Sequence, residues 1–508
     1  MSYRSFKNSL IVASAVAASA CANDAHLTGP HARGALRSAS GAATTRTYIV
    51  MSRDTTSLPE SLGAELSAFG GSVIQSIPQI GIAIVQSDRA DFQAQAGGAQ
   101  GVDAVIPDLE TVAPTSFGDA SWLTGNAGVD PIGAAPSVLT AAPPMPAGGD
   151  PLSPLQWALT AIHAPEAWTL GYKGHGARVA ILDAGIQATH PDLTANLNKT
   201  LSTSFVPGET YNTPPGAHGT QVAGIIAAAQ NGVGTVGVAP QAEIVSIKVL
   251  QVLNGGGGRA SWILAGIVYA ADIGSDVINM SFGSNSPRRT HIEIDTRGTT
   301  DPSDDIEILV SAAETEQLLR AYARATNYAH RKGVLLIAAS GNIPKDFGHS
   351  ADDFGIPQEL PHVVTVGPTG PLGWALDPQT DLDVSPSYTN IGKSYIDLAA
   401  PGGNFDVFDR PGLPSSCTVL GFNRPCQVFD LVYTTTVGSS YFWNFGGSFA
   451  APHAVGVAAL IIGKHGGGMD PDRVEQILRN TADDIGKPGR DERFGLGRVN
   501  ALRAVQHP

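Results

Sequence analysis

Charge is what this 508-residue chain has least of. Asp, Glu, Lys and Arg make up 15% of it, against roughly 25% in an average soluble protein. So little charge excludes a chain held open by self-repulsion, and 43% apolar residues are enough for a large core. Positive charge is the scarcer sign, with 31 Lys and Arg against 45 Asp and Glu and a formal net charge of −14. That excludes a general nucleic-acid partner, because phosphate binding needs clustered basic side chains. The negative balance serves solubility. Long apolar runs are missing too: no stretch of 18 uninterrupted apolar residues occurs, which excludes a multi-span helical membrane protein. Only three cysteines are present, with neither C-x-x-C nor H-E-x-x-H, so no zinc-site spacing is offered.

The N-terminus carries an address. Arg4 and Lys7 precede a short run of small and apolar residues from Leu10 to Ala20. A basic start, a brief apolar run and small residues before a cut make residues 1–20 an export signal. Ala18-Ser19-Ala20 fits the cleavage site and leaves Cys21 as the new first residue. The run also resembles a loose bacterial lipobox, in which Cys21 takes a lipid, although Ala18 stands where Leu is usual. The expected location is therefore outside the cell or on its envelope, with Cys21 as the one membrane contact. In an oxidising compartment Cys417 and Cys426 are expected to pair. The alternative is two free buried thiols.

Past a polar segment, 21–46, residues 47–112 change character. Strand patterns at Tyr48–Met51, Ser72–Ile77, Ile82–Val85 and Val102–Ile106 alternate with helical ones at Pro59–Phe69 and Ala90–Ala96. The order β-α-β-β-α-β is a ferredoxin-like α+β unit. Residues 113–152 are rich in Pro, Ala, Gly and Ser, with Asp119, Asp130 and Asp150 as the only charges. Such a segment reads as a linker open to proteolysis.

From 153 to 508 short apolar runs alternate with helical stretches. The runs are Val179–Leu182, Ala242–Val249, Val277–Met280, Val334–Ala338 and Val363–Val366. Continuous rather than alternating apolar runs predict parallel strands covered on both faces. Helices are predicted at Gln221–Ala229, Ser261–Ala271, Ile308–Lys332 and Ser448–Lys464. This is an α/β domain in layers around a mainly parallel sheet.

Three residues suggest chemistry jointly that none suggests alone. Asp183 closes an apolar strand, at the sheet edge where α/β sites lie. His218 lies among small residues at a helix start. Ser448 follows Gly446-Gly447, also at a helix start, with Pro452 read as lying in the tolerant first turn. Singly these are a turn Asp, a packed His and an N-cap Ser. Together they supply a weak nucleophile, a base to take its proton and a carboxylate to orient the base. Asn342 and the Ser448 N–H would serve as oxyanion donors. The sequence Gly446-Gly447-Ser448-Phe449-Ala450 is not G-x-S-x-G, which weighs against an α/β-hydrolase.

The order Asp183, His218, Asn342, Ser448 resembles that of the subtilisin-like serine proteases, with flanking blocks in register. These are Ile181–Ile186 with His190-Pro191-Asp192-Leu193, His218-Gly219-Thr220, Gly237–Pro240, Asp276–Gly283, Asp397–Gly402, Pro488–Asp491 and Gly497–Ala501. The resemblance covers roughly residues 154–508. It implies a subtilisin-like three-layer fold, peptide hydrolysis through an acyl-enzyme, and 47–112 as an inhibitory, chaperoning propeptide. By the same resemblance Ser281-Phe282-Gly283 and Gly256-Gly257-Gly258 would flank an extended polypeptide substrate as edge strands. Ala339-Ser340-Gly341 would line the first specificity pocket. No acidic residue there selects Lys or Arg, so an apolar or broad preference is expected. Asp192 and Asn231 match positions that hold calcium in many relatives; calcium would be a structural ion, and the chemistry itself needs no cofactor.

The sequence departs from the family pattern in places. Gly447 stands where Thr is usual. Two stretches are longer than in compact relatives, Asn285–Asp305 and Gly402–Phe445. The first reads either as a solvated surface loop or as part of the cleft wall. Hydrolysis by a self-processed precursor is the expected function. The alternatives are acyl transfer to an amine on the same site, a catalytically dead peptide-binding module, and an N-terminal unit that inhibits other proteases.

Overall fold

The apolar runs assemble into one sheet. In the computed structural model seven parallel strands stand side by side. They are β6 (Arg178–Asp183), β7 (Thr203–Ser204), β8 (Glu243–Lys248), β10 (Val277–Met280), β11 (Leu335–Ala339), β12 (Val363–Thr369) and β13 (Leu398–Pro401). Their spatial order is β13-β12-β11-β10-β6-β8-β7. The structure describes residues 45–111, 130–131, 149–252, 257–295, 305–350, 352–406 and 414–508. The expected export signal, Cys21, Gly256 and most of the linker 113–152 lie outside the described residues.

Both faces of the sheet are covered, which explains the unbroken apolar runs. Val179, Ile181, Val277, Leu335 and Ile337 face one core. The alternate residues Ala180, Leu182, Ile278, Met280, Leu336 and Ala338 face the other. Helices α3 (Ala217–Ala227), α6 (Gly447–Lys464), α7 (Pro471–Thr481) and α8 (Ala501–Gln506) cover the first face. Helices α4 (Ala260–Asp272) and α5 (Ala312–Arg331) cover the second. Helix α6 is long and apolar enough to cross a membrane by length and composition, but it is 89% buried in the protein. A helix apolar all round is the mark of a core position.

Residues 46–111 form the expected small α+β unit. Strands β1 (Arg46–Ser52), β2 (Gly71–Ile77), β3 (Ile82–Ser87) and β4 (Val102–Pro107) pair antiparallel in the order β2-β3-β1-β4. Helices α1 (Leu62–Ala68) and α2 (Phe92–Gly97) cover one face through Tyr48, Val50, Val85, Leu66 and Phe92. Ile49, Met51, Ile82, Ile84 and Ile106, on the other face, pack into the core with α4 and α5. Gln79 donates to Asp272 (2.8 Å) and the Arg324 guanidinium to the Ser52 carbonyl (3.0 Å) along the same contact.

Some boundaries moved. The predicted helix 308–332 begins only at Ala312, because Ser311 and Glu314 form a capping box there. Ile306–Val310 is instead a strand paired with His291–Asp295. The described part of the long segment after Gly283 is thus built of paired strands, with Ser284–Pro287 pairing Asp353–Ile356. The second long segment holds the hairpin Ser416–Val419/Phe422–Pro425 and the pair Val432–Thr436/Ser440–Asn444. The Cys417–Cys426 disulfide spans that first hairpin. Within the expected linker, Asp130 and Pro131 add to the edge of Ser440-Tyr441. Asp150 is tied to the large domain, its carboxylate accepting from the Asn231 and Gly232 N–H groups (3.0 and 2.8 Å).

Candidate active site

Strand β6 ends on Asp183, whose side chain is 1% exposed. Its Oδ1 accepts from the Ala184 N–H (2.6 Å). Helix α3 starts beside it, closer than the predicted Gln221 start, so His218 sits in its first turn. Gly219 permits the approach, since a Cβ there would lie 2.4 Å from the Gly185 carbonyl and 3.1 Å from Asp183 Oδ1. His218 Nδ1 reaches both carboxylate oxygens, at 3.0 and 2.9 Å. The carboxylate therefore fixes Nδ1 as the protonated nitrogen and leaves Nε2 as the base. Nε2 is buried and has no hydrogen-bond partner among the described residues. Burial works against a charged imidazole here, but the Asp183 charge and hydrogen bond outweigh it and raise the His218 pKa above 6.5.

The His218 ring stands edge-on to Phe449, 5.8 Å between centroids, and so abuts the residue after Ser448. Ser448 is the second residue of α6 and is buried. Its Oγ donates to the Ser281 carbonyl (3.0 Å), while Ser281 Oγ donates to the Ser448 carbonyl (2.8 Å). Proline explains the second bond. The helix begins at Gly447, so Pro452 lies beyond the first turn, and the N–H it lacks is the one that would have reached Ser448. The freed carbonyl takes Ser281 instead. This differs from the sequence-based reason for tolerating Pro452.

Asn342 follows β11, and its Oδ1 accepts from the Gly447 N–H (2.7 Å). That bond orients the amide, whose Nδ2 lies beside Gly446, 3.0 Å from where a Cβ would stand. A Cβ on Gly447 would stand 3.3 Å from Gly341 backbone atoms and Ser340 Oγ, so the residue that departs from the family pattern sits in a tight place.

Ser281-Phe282-Gly283 and Ala339-Ser340-Gly341 lie at and beyond the carboxyl ends of adjacent parallel strands, β10 and β11. The Ser340 carbonyl is held by Asn390 Nδ2 and the Tyr395 hydroxyl, both at 2.8 Å. Gly257 precedes the two-residue strand β9 (Gly258–Arg259). Strand β5 (Glu110–Thr111) pairs antiparallel with β9, Gly258 facing Thr111 and Arg259 facing Glu110. Asp108 reinforces this contact by accepting from Ser261 N–H (2.9 Å) and Oγ (2.7 Å) at the start of α4. Arg259 donates to the Asp108 carbonyl (2.9 Å) and to Asp295 (2.8 Å).

Sequence reasoning missed Asp108, the Lys248–Glu209 ion pair and Gln358. Lys248 ends an apolar strand in register with Asp183, is fully buried, and binds Glu209 and the Pro214 carbonyl. A lysine inside an apolar strand was the available signal. Asp108 and Gln358 gave no local signal.

Asp192 and Asn231 do not by themselves assemble the roughly six to eight oxygens that calcium takes. Asp192 Oδ2 accepts from Thr235 N–H (3.0 Å) and Oγ1 (3.3 Å), and its buried Oδ1 has no hydrogen-bond partner among the described residues. Asn231 turns Oδ1 to the Val233 N–H (3.0 Å) and Nδ2 to the Pro191 carbonyl (3.2 Å). Elsewhere His330, His362 and Asp472 meet, but the two imidazoles stack face to face at 3.8 Å and 11°. One ion cannot lie in the planes of two stacked rings, so this cluster does not suit a metal as it stands.

An α/β sheet with an Asp–His pair at its carboxyl edge, its imidazole packed on the residue next to a helix-start serine, has the parts of a hydrolase of the serine type. The Subtilase family model (Peptidase_S8) matches residues 174–497. M-protease of Shouchella clausii is 33% identical over 350 residues, which are 69% of this chain and 70% of that protein. Subtilisin Savinase of Lederbergia lenta is 32% identical over 350 residues, 69% of this chain and 98% of that protein. Among solved structures, the epidermin leader peptide processing serine protease of Staphylococcus aureus superposes with a TM-score of 0.65 at 21% identity, covering 91% of this chain and 98% of that one. A lanthipeptide protease reaches a TM-score of 0.53 at 28% identity over 69% of this chain and 95% of its own. The chain belongs to the subtilase family and is a subtilisin-like serine endopeptidase.

Proposed function

We propose that this chain is an exported, self-processing precursor that hydrolyses peptide bonds with Asp183, His218 and Ser448, aided by Asn342. The observation that carries the reading is the two-point Asp183–His218 contact near Ser448, with Nε2 unpartnered among the described residues. An orphaned buried nitrogen is costly unless it has work to do. Rotation about the Ser448 Cα–Cβ bond takes its hydroxyl from the Ser281 carbonyl to Nε2. Nε2 accepts the proton as Oγ attacks the peptide carbonyl. The oxyanion forms against Asn342 Nδ2 and the Ser448 N–H, a helix N–H with no intrahelical partner. His218 then returns the proton to the departing amine, and water releases the acyl group by the reverse sequence.

The N-terminal unit is the inhibitor in this reading. Its last strand adds to the edge β9 as an extended peptide would, by β-augmentation. The Asp108 cap and the isoleucine face hold it there. The export signal at 1–20, which leaves Cys21 first, either free or as the acceptor of a lipid, completes the proposal from sequence.

A fluorophosphonate probe tests the reading on processed protein. One adduct is expected, on Ser448, absent in Ser448→Ala and strongly reduced in His218→Ala. Processed, folded protein that takes no label would overturn it.

A further inference from the structure

We propose that Gln358 makes this enzyme selective for small residues, Gly, Ala or Ser, on the acyl side of the cleaved bond. The inference deepens the peptidase reading above and rests on it.

Strands β10 and β11 are neighbours, and the chain leaves them as two segments, Ser281–Gly283 and Ser340–Gly341. Ser448 Oγ lies over the first, 3.0 Å from the Ser281 carbonyl. Asn342 follows the second and holds the Gly447 N–H at 2.7 Å. The nucleophile and the oxyanion donor thus stand at the mouth of the gap between the segments, in the crevice where α/β sheets take ligands. A peptide carbonyl placed between Ser448 and Asn342 directs the side chain of its own residue into that gap.

The gap is already bridged. Gln358 comes from a different segment, yet its Nε2 donates to the Phe282 carbonyl (3.2 Å) and the Ala339 carbonyl (2.6 Å). These carbonyls belong to opposite walls. Gln358 is buried, and its own carbonyl accepts from Thr365 Oγ1 (3.0 Å), which fixes its backbone. The amide lies flat on Gly283, where a Cβ would come within 2.3 Å of Nε2. One amide therefore sets the distance between the walls and occupies the depth that a long side chain would need. A Leu or Phe can enter only by displacing it, which leaves two carbonyls without their donor. A methyl or hydroxymethyl group asks for no such displacement.

The test uses processed enzyme and peptides identical except for Gly, Ala, Ser, Leu, Phe or Arg at the acyl-side position. Rates are normalised to the Ser448 content found by fluorophosphonate labelling. Wild type is expected to favour Ala over Phe by about 10²-fold in kcat/KM. In Gln358→Ala and Gln358→Gly the Phe/Ala ratio of kcat/KM is expected to rise at least about tenfold, whatever the change in absolute rate. Gln358→Met fills the gap without donors and is expected to keep the small-residue preference. The wild-type profile decides the matter even if the variants fail to fold. A labelled wild type that prefers Leu, Phe or Arg, or variants with an unchanged ratio, overturns the inference and leaves the peptidase reading standing. A processed protein that takes no label overturns both.

Discussion

Ser281 and Ser448 exchange two hydrogen bonds, each hydroxyl donating to the other residue's carbonyl at 2.8 and 3.0 Å. The pair joins the end of a central strand to the start of the core helix. It exists because Pro452 leaves the Ser448 carbonyl free. Ser281→Ala removes the donor and leaves that carbonyl buried and unpaired. The expected cost is about 1–3 kcal/mol in stability. Denaturant unfolding of the Ser448→Ala precursor with and without Ser281→Ala measures it free of self-cleavage. In the active background kcat is expected to fall more than KM rises, because Ser448 loses its positioning rather than substrate its contacts.

The Asp183–His218 contact sets a pH profile. A base must be neutral, so activity falls as pH drops through the His218 pKa. Asp183 raises that pKa above 6.5, while burial alone lowers it. The acidic limb of kcat/KM is therefore expected to have its midpoint above 6.5. In Asp183→Asn the limb moves below that value, and turnover drops by about 10⁴-fold, as when a triad carboxylate is neutralised elsewhere. A limb that stays in place would separate the carboxylate from the titration.

Asp108 is buried, and it caps α4 from the N-terminal unit. Asp108→Ala is expected to weaken docking by about 1–2 kcal/mol, the usual value of such a cap. Hydrogen exchange on the Ser448→Ala precursor reads it. Amides at the β5–β9 pairing and the start of α4 should exchange faster, while those pairing β1 with β3 stay protected. Uniform exchange changes would mean that the unit unfolds rather than undocks.

The motifs that carry chemistry were legible because each is short and lies at a strand end or helix start, so identity and local pattern coincide. The continuous runs around Val179 and Val277 gave the parallel sheet because both faces are buried. Ile308–Val310 was misread because an apolar strand runs straight into an amphipathic helix; Ser311-Ala312-Ala313-Glu314 held the true boundary. Gln358 and Asp108 were illegible for another reason. Gln358 bridges residues 76 and 19 positions away and Asp108 reaches one 153 away, and nothing local marks a glutamine or an aspartate for such a bond.

Asp430 supplies a pH effect on stability. It accepts from Gly373 N–H (2.8 Å) and Trp374 N–H (2.7 Å), yet burial pushes its carboxyl from 3.8 up to about 7. The folded state then holds the proton more tightly than the unfolded chain. This contribution is full below about pH 4 and is lost as pH rises to about 7. Relative to Asp430→Asn, which does not titrate, wild type should lose on the order of a few kcal/mol between pH 4 and 8. Parallel melting curves across that range for the two proteins in the Ser448→Ala background check it; a difference independent of pH would refute it.

The central claim is that Ser448 cuts peptide bonds, first its own chain's. Intact mass of purified wild type beside Ser448→Ala tests it most directly. The account predicts that wild type loses an N-terminal fragment ending between about residues 113 and 155, the segment that joins the two folded parts. Ser448→Ala should retain that fragment. Identical cleavage in both proteins, or an uncut wild type that also leaves added peptide intact, would contradict it.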